Sequence, residues 1–183
     1  NAITKFDAND TTATVEPGVI TANLQRFAVD NGLYYPVDFG SSGSSHVAGN
    51  ISTNAGGIRV IRYGMTRDWV MGLKVITGTG ALLDLNKGLI KNNTGYDLRH
   101  LFVGSEGTLG FIVEATMKLT DKPIDSTVIV LAVPVMSDCL AVLQLFRRDV
   151  VLNAFEFFSD NALQKVMSTT HLAAPMATDS PYY

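Results

Sequence analysis

One cysteine, Cys139, stands among 183 residues. That excludes an internal disulfide framework and any site built from several thiolates. Charge is also scarce: Asp, Glu, Lys and Arg make up 17% of the chain, where about a quarter is usual in a soluble domain. Neither sign dominates, with 14 Lys and Arg against 17 Asp and Glu and a net charge of −3. A balance of that kind leaves no electrostatic footprint for nucleic acid, so no nucleic-acid partner is expected. No apolar run approaches the ~20 residues that cross a bilayer as a helix, so no transmembrane segment is expected. Asn1–Asp10 lacks the charged and apolar regions of a secretory signal. The sequence does not open on methionine, and it reads as a piece of something longer.

Apolar residues, at 46%, are plentiful enough for a sizeable core, and the length suits one domain and a fraction of another. Thr11–Val15 is a β-branched run ended by Glu16-Pro17-Gly18, a strand and a turn. Thr21 can cap a helix carrying Leu24, Phe27 and Ala28, stopped by Asn31-Gly32. Asp68–Thr77 and Ala81–Leu85 flank Gly78-Thr79-Gly80 and predict a β-hairpin. Asp97–Val103 reads as a short helix and Leu109–Leu119 as a strand. Beyond residue 125 the pattern predicts strand, helix, strand, helix: Ser126–Val135, Cys139–Arg148 capped by Ser137, Leu152–Phe158 and Asp160–Met167. The fold class predicted is mixed α and β, a first unit of roughly 1–122 followed by a shorter second one.

The most unusual stretch is Phe39–Ile58. Its twenty residues contain no Asp, Glu, Lys or Arg, and 13 of them are Gly, Ser, Asn or Thr. A flexible surface linker is the plain alternative. Against it stand the missing charge and the spaced apolar residues Val47, Ile51, Ala55 and Ile58, a pattern expected of a packed segment. A packed, neutral, glycine-rich loop presents backbone N–H groups with no side chain in the way, suited to a phosphate or a flat heterocycle. Nucleotide binding is the physical expectation. The chain has no GxxxxGK[ST] and no GxGxxG opening a helix after a strand, so neither a P-loop nor a two-βαβ nicotinamide site is expected. A second glycine cluster, Gly104, Gly107 and Gly110 with Glu106 inside, lies between a helix and a strand.

Five runs occur in order: Pro36-Val-Asp-Phe-Gly40, Gly49-Asn-Ile-Ser-Thr-Asn-Ala-Gly-Gly57, Arg62-Tyr-Gly64, Lys91-Asn-Asn-Thr-Gly-Tyr-Asp97 and Gly104-Ser-Glu-Gly-Thr-Leu-Gly110. Together they resemble the FAD-linked oxidase family with the vanillyl-alcohol-oxidase (PCMH-type) flavin domain. The branch they resemble is that of the D-2-hydroxy-acid dehydrogenases: D-lactate dehydrogenase, the glycolate oxidase FAD subunit and D-2-hydroxyglutarate dehydrogenase. Ser45-His46-Val-Ala-Gly49-Asn50 and Asn153-Ala-Phe-Glu-Phe157 lean towards the last of these. One departure is Ala48-Gly49 where the family has Gly-Gly.

The resemblance implies an α+β chain. Residues 1–122 would be the second subdomain of a PCMH-type FAD-binding domain, without the upstream pyrophosphate loop. Residues 123–183 would start an α/β substrate (cap) domain. It implies FAD as cofactor, with Pro36, Gly43, His46, Val47, Gly49 and Asn50 along pyrophosphate and flavin. Thr53, Asn54, Gly57, Tyr63 and Gly64 would continue that wall, and Glu106, Gly107, Gly110, Ile112 and Val113 would lie towards the adenosine half. The activity implied is oxidation of a D-2-hydroxy acid, such as D-lactate, glycolate or D-2-hydroxyglutarate, to the 2-oxo acid by hydride transfer to flavin. The alternatives are a same-fold oxidase of an alcohol or sugar, an ether-lipid synthase, or a partial flavin domain without catalysis of its own. No catalytic base is assigned within the chain, and no metal site, because no two of His46, His100 and His171 stand at ligand spacing. Arg59, Arg62 and Arg67 read as a solvated basic face and Cys139 as a buried apolar residue. A quinone, cytochrome or electron-transfer flavoprotein would take the electrons. The expected location is the cytoplasm or an organelle matrix, peripheral membrane attachment included, and not outside the cell.

Overall fold

Thr12–Val15 (β2) is β-branched at three of its four positions, a composition that packs well on a pleated surface. It pairs antiparallel with Ile3–Asp7 (β1) on one side and Gly110–Lys118 (β6) on the other. The hairpin expected around Gly78–Gly80 is present as Val70–Thr77 (β4) and Leu82–Leu85 (β5), with β4 also pairing β6. The resulting sheet has the order β1-β2-β6-β4-β5, every neighbour antiparallel. A two-stranded ladder joins Leu33–Tyr34 (β3) to Thr120–Asp121 (β7). The computed structural model describes residues 1–183, which fall into two units, Asn1–Pro123 and Ile124–Tyr183.

One sheet face is buried. Ala13, Val15, Leu73, Val75, Ile112, Ala115 and Met117 meet Leu24 and Ala28 of helix Thr21–Asp30 (α1) and Val47 and Ile51 of helix Val47–Ser52 (α2) in one core. Strict alternation would put Ile112 and Ala115 on opposite faces. A bulge solves this: Lys74 faces Glu114 and Val75 faces Ile112, so Val113 is the extra residue and the side-chain parity resets. The other face is polar at its centre, with Thr14 and Thr116 hydroxyls 3.2 Å apart and Lys74 Nζ 2.8 Å from Glu114. Tyr35 is wholly buried, its hydroxyl has no hydrogen-bond partner, and burial pushes its phenol far above the ordinary value.

Several sequence expectations are corrected. Thr21 does not cap α1: Ile20 holds that position, and the Thr21 hydroxyl donates to the Ser45 carbonyl at 3.1 Å. Asp97–Val103 contributes only the one-turn helix Arg99–Phe102 (α4), which follows the short helix Val60–Tyr63 (α3) in chain order. In the second unit the helices are present as Met136–Asp149 (α5) and Asp160–Thr170 (α6), but α5 begins after Val135 with no side-chain cap, and Ser137 lies inside it. The strands expected at Ser126–Val135 and Leu152–Phe158 are not formed. A strand needs a neighbour for its N–H and C=O groups, and this unit supplies only isolated bridges from Tyr182 to Val133 and Ser159. Phe158 stacks on Tyr183 at 5.2 Å there, and Cys139 is buried in α5 as an apolar residue.

Candidate functional site

The neutral ribbon is ordered. Ser42 N–H donates to the Phe39 carbonyl, and those of Ser44 and Ser45 both donate to Ser41, winding its first part into tight turns. Asp38 anchors this start: its carboxylate accepts from Ser42 Oγ at 3.0 Å and lies 3.1 Å from Arg59 Nη2. Arg59 also donates to the Tyr34 hydroxyl. The middle of the ribbon is α2, not a loop. Val47 and Ile51 are fully buried, and buried Asn50 donates to Thr21 Oγ1 at 2.6 Å. Ala48, where a second glycine was expected, sits within this helix at ordinary backbone angles. The ribbon's end is fastened by Thr66, whose N–H and hydroxyl both donate to the Ala55 carbonyl. Ile58, expected to pack, is 51% exposed instead.

The two glycine clusters meet. Gly104 N–H donates to the Ile51 carbonyl at 3.0 Å and Glu106 N–H to that of Ser52 at 2.8 Å. Glu106 adopts positive φ, 52°, as do Gly104 and Gly107. The turn therefore lies directly against the end of α2. Its base is α4, held to β4 by Arg99, which donates to the Val70 and Met71 carbonyls at 2.7 and 2.8 Å. The same guanidinium bonds Asp97 and holds that carboxyl below its ordinary range.

The residues expected to line a cofactor separate into two kinds. At Gly43, Gly49 and Gly107 an added Cβ would meet nothing within 4 Å, so these backbones face open space. His46, Thr53 and Glu106 are exposed beside them. The rest make contacts within the fold. Pro36, Val47 and Ile112 are buried, and Asn50 is spent on Thr21. Asn54 accepts the Arg67 N–H, and a Cβ on Gly57 would overlap the Asp38 carbonyl oxygen. Gly64 has φ 72° with Asp68 where a Cβ would go, and Gly110 is crowded by Val75 and Ile76. Tyr63 packs edge-on against Tyr34 and Trp69 with its hydroxyl enclosed, and Val113 is the bulge residue.

Two exposed apolar residues flanking the turn were missed by sequence reasoning: Leu109 at 51% and Phe111 at 66% exposure. Phe111 stands in register with exposed Ile76, and Ile76 with Leu82, so three apolar side chains share one row of the sheet. Apolar residues directly beside a glycine turn were the available signal. The expected solvated basic face holds only for Arg62, which is exposed and lies over the Tyr63 ring at 4.9 Å, whereas Arg59 pairs with Asp38 and Arg67 donates to the His100 and Val103 carbonyls. The grooves of about 240 and 210 Å³ lie elsewhere. The first lies over Thr14, Lys74 and Glu114, and the second is lined by Asn86, Asn92 and Tyr96.

These features suit FAD. Open glycine backbones allow close approach, and the Thr53 hydroxyl is exposed beside them. Comparison with known proteins agrees. Residues 1–86 match the FAD binding domain family. The D-2-hydroxyglutarate dehydrogenase of Stutzerimonas stutzeri (strain A1501) is 60% identical over 183 residues, 100% of this chain and 39% of that protein. The glycolate oxidase subunit GlcD of Bacillus subtilis (strain 168) is 48% identical over 123 residues, 67% of this chain and 26% of that protein. A solved alkyldihydroxyacetonephosphate synthase shares the fold, with TM-score 0.75 and 24% identity over 92% of this chain and 31% of that one. The chain thus spans about two fifths or less of the length of the curated relatives it matches. It belongs to the FAD-linked oxidase family, in the branch of the D-2-hydroxyglutarate dehydrogenases and the glycolate oxidase FAD subunit, and its cofactor is FAD.

Proposed function

We propose that this chain forms part of the FAD-holding wall of an enzyme that oxidises a D-2-hydroxy acid to the 2-oxo acid. The observation that carries the reading is the junction of the two glycine clusters through Gly104 and Glu106 N–H groups. Identity of 60% to a D-2-hydroxyglutarate dehydrogenase puts D-2-hydroxyglutarate first among substrates, with glycolate and D-lactate behind it. FAD, when bound, supplies a two-electron acceptor. The chain's own contribution is placement. Gly43, Gly49 and Gly107 admit the cofactor close to the main chain, and His46 and Thr53 offer hydrogen-bonding side chains beside it. The remaining residues expected at the cofactor act behind this surface, holding α2 and the turn in place. Residues 124–183 would begin the substrate domain, and the base that takes the hydroxyl proton is assigned to no residue of this chain. A quinone, cytochrome or electron-transfer flavoprotein would receive the electrons, in the cytoplasm or an organelle matrix. No helix is long and apolar enough to cross a membrane.

The test is spectroscopic. The intact protein is purified, its visible spectrum recorded, and candidate substrates added without oxygen. Near-stoichiometric flavin bands that bleach with D-2-hydroxyglutarate are the expected result. Bleaching by aryl alcohols or aldoses but by no 2-hydroxy acid would overturn the substrate class, and absence of flavin would overturn the site.

A further inference from the structure

Between the neutral ribbon and the Glu106 turn stands one guanidinium. Arg67 lies in the 3-10 turn Thr66–Trp69, directly after the ribbon is fastened at Thr66. Its N–H donates to Asn54 Oδ1 at 2.9 Å, gripping a ribbon residue held at φ 47°. Its side chain reaches the other way. Nη2 donates to the Val103 carbonyl at 2.8 Å, and Nη1 to the His100 carbonyl at 3.1 Å and to His100 Nδ1 at 3.0 Å. An arginine only donates, so Nδ1 is the acceptor and the imidazole proton sits on Nε2, which faces Asp97 Oδ2 at 3.4 Å. A Cβ on Gly104 would lie 3.4 Å from both Arg67 Nη2 and Asn54 Cβ, so the guanidinium packs against the start of the turn.

We propose that Arg67 is the positioning residue that sets the spacing between the two glycine walls of the cofactor site; the proposal rests on reading that site as the FAD site. A one-turn helix such as α4 cannot hold itself. Arg99 ties it to β4, and Arg67 connects it to the ribbon through hydrogen bonds at both ends. The planar fork is needed because the acceptors on His100 and Val103 are served by separate nitrogens, which a lysine ammonium cannot reproduce. Without the fork, the turn is left on the Gly104 and Glu106 main-chain hydrogen bonds alone, and the open backbones of Gly49 and Gly107 are no longer held rigidly towards the cofactor together.

The experiment uses Arg67→Lys and Arg67→Met in the intact protein, with His100→Ala as the variant that removes one contact of three. FAD affinity is measured by titrating apoprotein, alongside its thermal midpoint and the hydrogen exchange of the Gly104 and Glu106 amides. Arg67→Lys should raise the Kd for FAD at least tenfold, about 1.4 kcal/mol, and Arg67→Met further. Both should speed exchange at the two amides while the midpoint of the apoprotein stays within a few degrees. His100→Ala should change the Kd less than threefold. Wild-type affinity and protection in both Arg67 variants would overturn the proposal, as would a Kd that rises only in step with a falling midpoint. A wild-type protein that takes up no FAD would instead overturn the reading of the site, and exchange at Gly104 and Glu106 would still decide whether Arg67 is the clamp.

Discussion

Glycine has two different uses in this site, and they can be separated at single residues. Gly57 and Gly64 are required by the fold: a Cβ would overlap the Asp38 carbonyl oxygen in one and the Asp68 carboxylate in the other. Gly57→Ala should cost about 3 kcal/mol, at the upper end for an overpacked position. Gly43 and Gly49 face open space at ordinary φ. Gly43→Ala should leave apoprotein stability within about 0.5 kcal/mol, and Gly49→Ala, inside α2, should raise it by about 0.5–1 kcal/mol. Both should nonetheless raise the Kd for FAD about tenfold in titrations. Unchanged affinity in both variants would mean that the ribbon does not touch the cofactor. Tyr35 carries a pH prediction. Its phenol is raised by burial, so the native state favours the neutral form. The associated stability is fully present below the unfolded value, about 10, and is lost as pH rises through the higher folded value. Tyr35→Phe should flatten that alkaline decline in urea titrations. At pH 7 it should stabilise by up to about 1 kcal/mol, because the hydroxyl removed has no partner. A destabilised Tyr35→Phe would show that the hydroxyl is satisfied.

At the scale of elements, local pattern was legible where a segment's own residues decide its structure. The β4–β5 hairpin follows from apolar runs around Gly78-Thr79-Gly80, and α1 from Leu24, Phe27 and Ala28 ended at Asn31-Gly32. The six residues of α2 were hidden by their Gly, Asn and Ser content, which reads as loop. Burial of Val47 and Ile51 overrides that propensity. Ser126–Val135 failed in the opposite direction. Its β propensity is strong, but ladder partners are supplied by other segments, and Ile124–Tyr183 supplies only bridges. The bulge at Val113 was equally illegible: the alternation of Leu109–Leu119 says nothing of an extra residue until β4 is laid beside it. Of the two arginines that hold α4, Arg67 was read as part of a solvated face and Arg99 was given no role, because their acceptors are backbone carbonyls that leave no mark in the amino-acid pattern.

The whole molecule divides at Pro123 and Ile124. Every residue from Ile124 to Leu131 is exposed, and none lies in a helix or strand. Limited proteolysis should therefore cut first within this run and leave a resistant product ending near residue 123. An early cut inside the five-stranded sheet would contradict the division. Sequence alone determined the mixed α and β character, the hairpin, the ordered series of glycine motifs and, through them, the family. It did so because composition, period and turn chemistry are properties of neighbouring residues. Tertiary structure alone decided which glycines stay open and that Ser52 and Glu106, more than fifty positions apart, share a hydrogen bond. It also gave Arg67 its place between the two walls. Those outcomes depend on which distant carbonyl lies within 3 Å of a donor, a distance that exists only once the sheet has closed around its core.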